Sequence, residues 1–244
     1  MSDREALARE IHVWCASIAA HAAEEERFWG FLDRGERTRA ERFRFDGDRT
    51  NFVIAHGFLR ATLGRYVRRP PETLAFVTGA WGKPALTQSA GDGVTFNLSH
   101  SGDYVLVALA MGRAVGVDVE RWNPTLAYER LAAICFSAAE RVELGTVPPQ
   151  ARERAFHDGW TRKEAYIKAL GVGVGNGLDY FDVSLDPTTP ARIIDDRRVP
   201  NDPRDWRLAD VPMGSGYSAA VCAEGSDWSV RRFDAVLHDV AATA

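Results

Sequence analysis

Apolar residues recur along this chain at two spacings, and the wider spacing predicts a pair of long helices. The apolar positions of Arg49–Val67 fall at roughly helical spacing, after an Asp46–Asp48 turn that is typical of a helix N-cap. Pro70–Pro71 follows and is expected to end this helix. A second long helix is predicted over Pro149–Leu170, and the glycine-rich stretch that starts at Gly171 is expected to end it.

Shorter apolar runs between glycine, proline and polar residues predict strands. The predicted strands are residues 11–18, 74–77, 94–98, 104–110, 114–119, 181–185, 206–211, 217–223 and 228–233. Ser99–Asp103 is predicted to be a loop, Gly112–Arg113 a hairpin turn and Asp186–Pro203 a surface loop. A long helix with a small group of strands occurs twice, which predicts an α+β fold of two similar halves, residues 1–113 and 114–244.

Composition narrows the class of protein. Hydrophobic residues make up 45% of the 244 residues and charged residues 26%, which is typical of a globular domain. The net charge of −4 argues against a nucleic-acid-binding protein. Cys15, Cys135 and Cys222 show no metal-site or disulfide spacing, so we expect buried thiols in a reducing compartment. Without an apolar run of membrane-spanning length or a signal peptide, we expect a cytoplasmic protein with no membrane partner.

Two segments carry the candidate chemistry. Asp118 and Glu120 follow an apolar run, and strand periodicity would point both carboxylates to one side. Glu164 and Lys168 are spaced i,i+4 and so share one face of the second long helix with Trp160. Three carboxylates suit Mg²⁺, and Mg²⁺ with a lysine suits a phosphate. Each signal alone is weak. Glu164 and Lys168 would also fit an ordinary ion pair on a helix surface, and Asp118 and Glu120 would also fit a strand end that meets solvent.

Lysine is scarce in this chain, and its positions are informative. Of 30 basic residues only Lys83, Lys163 and Lys168 are lysine, and two of these lie close together on one predicted helix. An arginine bias would explain the scarcity better than the positions. Arg27–Arg69 also holds eleven arginines against five acidic residues, an excess that suits a phosphorylated small molecule or, as the alternative, a solvated helix face.

A further segment offers phosphate-binding groups. Ser99 and His100 follow a predicted strand, and a hydroxyl with an imidazole can donate to a phosphate, although a lone histidine is more often structural. The chain contains no nucleophile elbow and no P-loop. The glycines of Gly171–Gly177 follow a helix, so they do not form a dinucleotide-binding loop.

Taken together, these residues resemble the surfactin-type 4′-phosphopantetheinyl transferases over roughly residues 36 to 180. The matching motifs, in order, are Gly82-Lys83-Pro84, Asn97-Leu-Ser99-His100-Ser101, Gly116-Val-Asp118-Val-Glu120, Phe136-Ser137-x-x-Glu140 and Trp160-x-x-Lys163-Glu164-x-x-x-Lys168. The resemblance implies a pseudo-twofold α+β fold whose halves each pair a small antiparallel sheet with a long helix. It also implies Mg²⁺-dependent transfer of the phosphopantetheine arm of coenzyme A to a carrier-protein serine, with release of adenosine 3′,5′-bisphosphate.

The resemblance also assigns roles to individual residues. The implied metal ligands are Asp118, Glu120 and Glu164; the implied coenzyme contacts are Arg39, Lys83, Pro84, Ser99, His100, Asp118 and Lys168. It places the 3′-phosphate and adenine of coenzyme A in the first half and the metal and catalytic helix in the second. Glu164 is the implied base for the serine hydroxyl, and Lys168 the implied pyrophosphate contact. Glu36 departs from the pattern, because some family members carry a basic residue there.

Two other functions fit the same residues less well. A Mg²⁺-dependent phosphohydrolase or nuclease also uses carboxylates with a lysine, but a nuclease would need a basic track for nucleic acid. A non-catalytic module that binds a carrier protein or a coenzyme would be expected to lack part of the metal set. We expect a monomer whose partners are coenzyme A and apo carrier proteins of acyl, peptidyl or aryl type. The sequence does not say which carrier protein is the natural substrate.

Overall fold

The fold was examined in a computed structural model that describes residues 3–79, 81–87, 93–123, 125, 127–173, 177–197 and 205–235. The helices of the described part are α1 (Asp3–Ala6), α2 (Glu25–Phe31), α3 (Arg34–Ala40), α4 (Asp46–Val67), α5 (Tyr128–Cys135), α6 (Ala138–Thr146) and α7 (Arg152–Leu170). The strands are β1 (Glu10–Ser17), β2 (Phe76–Thr78), β3 (Pro84–Leu86), β4 (Val94–Ser101), β5 (Tyr104–Met111), β6 (Val115–Arg121), β7 (Phe181–Val183), β8 (Ile193–Asp196), β9 (Trp206–Asp210), β10 (Tyr217–Glu224) and β11 (Ser229–Asp234).

Two small sheets form the centre of the molecule. The first has the strand order β11-β1-β5-β4 and the second β6-β10-β9, while β2-β3 and β7-β8 form separate two-stranded pairs. All pairings are antiparallel except that of β1 with β11. The predicted α+β class, with small antiparallel sheets and long helices, is therefore confirmed. The last strand returns to the first sheet, and the predicted division into residues 1–113 and 114–244 stays a prediction.

The apolar residues form a layered core. Helix α4 covers one face of the first sheet, α7 covers one face of the second, and the other faces of the two sheets pack against each other. Strand β5 shows the consequence, because Val107 faces α4 whereas Leu106 faces the second sheet. A strand buried on both faces reads as a continuous apolar run, which is why β5 was recognisable in the sequence. No helix in the described ranges is long and apolar enough to cross a membrane.

Several predicted boundaries were wrong. Strand β4 continues through Ser101, so Ser99 and His100 lie on a strand and not in a loop. Gly112 turns with a φ of 65° between strands that belong to different sheets, so this turn does not close a hairpin. Helix α4 begins at Asp46 with Phe45 as its N-cap, so the Asp46–Asp48 segment is its first turn. Ile193–Asp196 forms β8 within the predicted surface loop.

The ends of the helices follow from local sequence. Ser137 caps α6, because its side chain accepts from the backbone N–H of Glu140 and the Glu140 carboxylate accepts from the N–H of Ser137. Helix α7 ends at Leu170, where Gly171 takes a left-handed conformation with a φ of 70°. The second long helix therefore ends at the predicted residue, Leu170.

The approach of α7 to β6 depends on a residue without a side chain. A Cβ at Gly116 would overlap the carbonyl oxygen of Ala165 and the backbone nitrogen of Ala169, both on α7. These are backbone atoms, which cannot move aside as a flexible side chain can. Glycine at this position therefore lets the helix backbone lie directly on the strand that carries Asp118 and Glu120.

We expect Gly116→Ala to lower the free energy of unfolding by ~1–3 kcal/mol, because an added methyl group must push α7 away from β6. Gly145→Ala in α6 is the matched control, since a Cβ there meets no atom within 4 Å. Chemical denaturation of both variants measures the difference. A midpoint for Gly116→Ala that is not lower than wild type, with the control unchanged or raised by the helix preference for alanine, would contradict this account of the packing.

Candidate active site

The predicted acidic residues and lysine meet where β4, β6 and α7 come together. The Lys168 ammonium on α7 donates to Asp118 Oδ1 on β6 at 2.6 Å and to Ser99 Oγ on β4 at 3.0 Å. The Ser99 hydroxyl in turn donates to Asp118 Oδ1 at 2.9 Å. Residues that are 19 to 69 positions apart in the chain thus form one hydrogen-bonded cluster. The structure thus brings predicted site residues together, and their roles stay predictions.

Strands β4 and β6 are joined by side chains instead of backbone pairing. Three polar side chains of β4, at alternate positions, accept hydrogen bonds from backbone N–H groups of β6. The pairs are Asn97 with Val117 at 2.9 Å, Ser99 with Val119 at 3.4 Å and Ser101 with Arg121 at 3.1 Å. This side-chain ladder, Asn97-Ser99-Ser101, sets the register of β6 against β4. This ladder was not predicted from the sequence, although polar residues at every second position of a strand are a signal of it.

Asp118 is almost completely buried. One carboxylate oxygen, Oδ1, belongs to the cluster. The other, Oδ2, is buried and has no hydrogen-bond partner among the described residues. Burial raises the pKa of Asp118, while the Lys168 ammonium and the Ser99 hydroxyl oppose that rise. An unpartnered buried carboxylate oxygen is costly, so this atom is a strong candidate to face a cation.

Glu164 and Glu120 complete the acidic group. Burial and the nearby carboxylates of Asp118 and Glu120 raise the pKa of Glu164 to about 7, against an opposing effect of Lys168. The pKa of Glu120 is also raised, first by burial and then by Asp118. Ser101 Oγ donates to Glu120 Oε2 at 2.9 Å and holds this side chain in place. The three carboxylates are therefore close enough to repel one another.

The donor set fits a hard divalent cation. Asp118, Glu120 and Glu164 supply only oxygen ligands, which Mg²⁺ prefers, and a cation would relieve their mutual repulsion. Among the residues that the structure describes, no group of three acidic, histidine or cysteine side chains already stands close enough to enclose an ion. The site therefore has the chemistry of a magnesium site, whereas its side chains do not stand in a coordinating arrangement.

A cleft of about 200 Å³ opens beside this cluster. Its walls are Trp81, Lys83, Pro84, Asn97, Glu164, Ile167, Lys168, Gly171, Val172 and Gly173. The turn between β2 and β3 forms one wall, with Trp81 and Pro84 exposed, and the end of α7 forms the other. The Lys83 ammonium does not point freely into the cleft, because it donates to three backbone carbonyls. The structure thus brings four predicted residues, Lys83, Pro84, Glu164 and Lys168, to one cleft.

The predicted 3′-phosphate contacts lie on the first half of the chain. His100 is exposed at the end of β4, and partial desolvation, together with the charges of His56, Lys168 and Arg39, lowers its pKa. Arg39 is exposed on α3, with its guanidinium 5.1 Å from the centroid of the Phe52 ring. Three basic groups therefore surround His100, and none of the contacts described for His100 or Arg39 pairs it with a carboxylate.

Glu36, which departs from the family pattern, has a structural role. Its carboxylate completes the capping box of α3. It also accepts a hydrogen bond from the buried Arg60 guanidinium at 2.6 Å and pairs with His56 at 3.1 Å. The Arg60 guanidinium also donates to the Leu74 carbonyl at 3.0 Å. Glu36 therefore keeps α3 on α4.

Lys163, the remaining lysine, is structural as well. Its ammonium is completely buried, donates to Glu140 Oε1 at 2.6 Å and lies 4.2 Å from the centroid of the Phe181 ring. The same Glu140 oxygen accepts from the backbone N–H of Val183 at 2.9 Å. This buried ion pair joins α6, α7 and β7, which explains why lysine stands one residue before Glu164.

Two family models match this chain. The model for the 4′-phosphopantetheinyl transferase superfamily matches residues 114–222, and the model for the N-terminal part of 4′-phosphopantetheinyl transferases matches residues 20–111. The 4′-phosphopantetheinyl transferase HetI of Nostoc sp. is 33% identical over 223 residues, which cover 91% of each chain. The chain belongs to the 4′-phosphopantetheinyl transferase family. The resemblance stated from the sequence motifs is thereby confirmed, as is the prediction of an enzyme.

Surfactin-type relatives match over most of their length. The 4′-phosphopantetheinyl transferase psf-1 of Bacillus pumilus is 32% identical over 198 residues, which cover 81% of each chain. The 4′-phosphopantetheinyl transferase Sfp of Bacillus subtilis is 27% identical over 205 residues, covering 84% of this chain and 88% of Sfp. The residues matched by the family models include β4, β6 and α7, which carry the clustered side chains.

The raised pKa of Glu164 predicts a pH-dependent loss of stability. Between the ordinary glutamate pKa of 4.5 and about 7, the folded protein keeps a proton that the unfolded chain releases, so folding becomes less favourable as the pH rises. Glu164→Gln does not titrate and escapes this loss. Its free energy of unfolding, relative to that of wild type, should rise by up to ~3 kcal/mol between pH 4.5 and pH 8, at about 1.4 kcal/mol per pH unit.

Thermal denaturation without divalent metal, at pH 5 and pH 8, measures this gain. Glu153→Gln, in the first turn of the same helix, is the control that should show no such pH-dependent gain. A difference between wild type and Glu164→Gln that is the same at both pH values would contradict the assigned environment of Glu164.

Proposed function

We propose that this enzyme transfers the 4′-phosphopantetheine arm of coenzyme A to a serine of an apo carrier protein, with Mg²⁺, and releases adenosine 3′,5′-bisphosphate. The supporting observation is the cluster in which Lys168 bonds Asp118 and Ser99 beside Glu164, at the edge of a cleft. Family membership supports the class of reaction, and the names of HetI, psf-1 and Sfp state the same activity for those relatives.

The carboxylates are assigned to the metal. Asp118, through its unpartnered Oδ2, together with Glu120 and Glu164 would hold Mg²⁺. When bound, the ion would supply positive charge to the pyrophosphate of coenzyme A. The serine oxygen bonds to the phosphorus on the pantetheine side, the bond from that phosphorus to the bridging oxygen breaks, and adenosine 3′,5′-bisphosphate leaves with that oxygen. Ser99 and Ser101 keep Asp118 and Glu120 directed toward this position by hydrogen bonds.

Lys168 and Glu164 are assigned to the chemical step. The Lys168 ammonium is 29% exposed and lies at the cleft, so it can exchange its bond with Asp118 for a pyrophosphate oxygen. Glu164 takes the proton of the carrier serine hydroxyl. The carrier protein provides the nucleophile, so the enzyme needs no serine or cysteine of its own.

The exposed basic groups of the first half and the β2–β3 turn are assigned to the adenosine part. His100 and Arg39 would contact the 3′-phosphate, since they are exposed basic groups near one another. Ser99 was predicted with them, but its buried hydroxyl is bonded to Asp118 and Lys168. The exposed turn at Lys83 and Pro84 would lie along the adenine. The monomeric state, the cytoplasmic location and the absence of nucleic-acid and membrane partners stay predictions.

Incubation with coenzyme A and an apo carrier protein, read by intact-mass spectrometry, tests the reaction. We expect one phosphopantetheine per carrier, loss of activity in a chelator and recovery with Mg²⁺. Asp118→Ala should lower the rate by about 100-fold or more, because it removes a proposed ligand. Asp227→Ala, an exposed aspartate paired with Arg113, is the control that should keep the wild-type rate. Undiminished transfer in the chelator would defeat the metal assignment.

The 3′-phosphate assignment predicts a preference for coenzyme A over dephospho-coenzyme A. Hydrogen bonds to a charged group are worth ~1.5–3 kcal/mol, so each contact corresponds to about 10- to 100-fold in affinity. His100→Ala should reduce the preference by that order, and Arg39→Ala likewise. Binding of both ligands is measured by calorimetry, with Arg68→Ala, an exposed arginine beyond the end of α4, as control. Equal wild-type affinity for the two ligands would refute the site.

A further inference from the structure

The Lys83 side chain links the β2–β3 turn to the two elements that carry the catalytic cluster. Its ammonium donates to the carbonyl oxygens of Val115 at 2.8 Å, Lys168 at 2.6 Å and Ala169 at 3.3 Å. Val115 is the first residue of β6, and Lys168 and Ala169 lie in the last turn of α7. One ammonium thus binds the strand of Asp118 and the helix of Glu164 and Lys168.

The two carbonyls of α7, those of Lys168 and Ala169, need a hydrogen-bond donor from outside the helix. The last four carbonyls of a helix have no partner within the helix, and they carry the negative end of its dipole. At the end of α7 the Gly171 N–H reaches Lys168 O only at 3.3 Å, and Ala169 O accepts from Lys83. A lysine ammonium has three donors, and the three carbonyl contacts use all of them.

The neighbouring contacts show that this junction has little freedom. Gly116, which follows Val115, lies against the backbone of Ala165 and Ala169. Lys83 therefore binds beside the tightest contact between strand and helix. Burial lowers the pKa of Lys83 to about 8, so the chain keeps this ammonium out of water at a cost. A surface cation with no particular role would not be held in this way.

We propose that Lys83 is a positioning residue, whose ammonium holds the last turn of α7 against the start of β6 and thereby sets Glu164 and Lys168 relative to Asp118. This inference rests on the proposed function. It differs from a direct role of the Lys83 ammonium in coenzyme binding, because all three of its donors are already engaged. The turn backbone and Pro84 remain open to the coenzyme.

Steady-state kinetics of Lys83→Met with coenzyme A and an apo carrier protein test the proposal. Loss of the three donors should lower kcat by about 10- to 100-fold, since small displacements of catalytic groups cost that much. The KM for coenzyme A should rise by a smaller factor than kcat falls, because Lys83 itself makes no coenzyme contact and only the position of Lys168 changes. Lys83→Arg, which also donates to carbonyls, should recover part of kcat.

Arg152→Met is the matched control. Arg152 likewise donates to helix-end carbonyls, those of Val147 at 2.8 Å and Gly145 at 2.8 Å, but it does so at the start of α7, far along the helix from Lys168. The control should lose stability without losing kcat. If Lys83→Met does not fold, Lys83→Gln, which keeps a donor without the charge, replaces it in the same assay.

Three results would overturn the proposal. A raised KM with unchanged kcat would mean that Lys83 contacts coenzyme A directly. A lower melting temperature with kcat within about twofold, well below that temperature, would mean a role in stability alone. Equal kcat losses in Lys83→Met and Lys83→Arg would mean that carbonyl binding does not matter.

Hydrogen exchange provides a readout that is independent of transfer. In Lys83→Met the amides of residues 168–171 should exchange faster, while those of α4 stay unchanged. If the wild type transfers no phosphopantetheine but this local change occurs, the proposed function fails and the link between Lys83 and α7 is supported. Unchanged exchange at residues 168–171 would contradict the link whether or not transfer occurs.

Discussion

The close packing of α7 on β6 is the contact on which the rest of the site depends. It is possible only because Gly116 lacks a side chain, so that the helix backbone at Ala165 and Ala169 reaches the strand. Lys83 binds the same junction through carbonyls of both elements. Asp118 lies two residues beyond Gly116, and its position beside the helix follows from this contact.

The second constraint acts on β6 from its other side. The ladder Asn97-Ser99-Ser101 satisfies backbone N–H groups that an ordinary sheet would pair with a neighbouring strand. Two of its hydroxyls also bond Asp118 and Glu120, so the same side chains join the sheets and direct the carboxylates. Register and site geometry are therefore coupled, and a shift of β4 by one residue would lose both.

The acidic cluster lowers the stability of the fold, but it provides the carboxylates that the proposed chemistry needs. Burial and mutual repulsion raise the pKa of Asp118, Glu120 and Glu164, and the Lys168 ammonium opposes this rise for all three. A core built only for stability would avoid this arrangement. Glu140 and Lys163 show the contrast, because both members of that buried pair also bond backbone groups, and the pair serves to join three elements.

The amino-acid sequence by itself determined the elements and the family. Helical periodicity and the Gly171 stop signal act within one or two turns, so the spans of α4 and α7 were close to the prediction. Motif order was sufficient for the family, because residue types and spacings are properties of the chain alone. The same motifs named the residues that meet at the cluster.

Only the tertiary structure decided which partners those residues have. Ser99 was predicted in a loop but lies on β4, since its hydroxyl bonds groups on two other elements, and Lys83 binds carbonyls more than thirty residues away. The strand order also escaped prediction, because β11 pairs with β1 from the far end of the chain. Such contacts join distant residues, and no local period or cap records them.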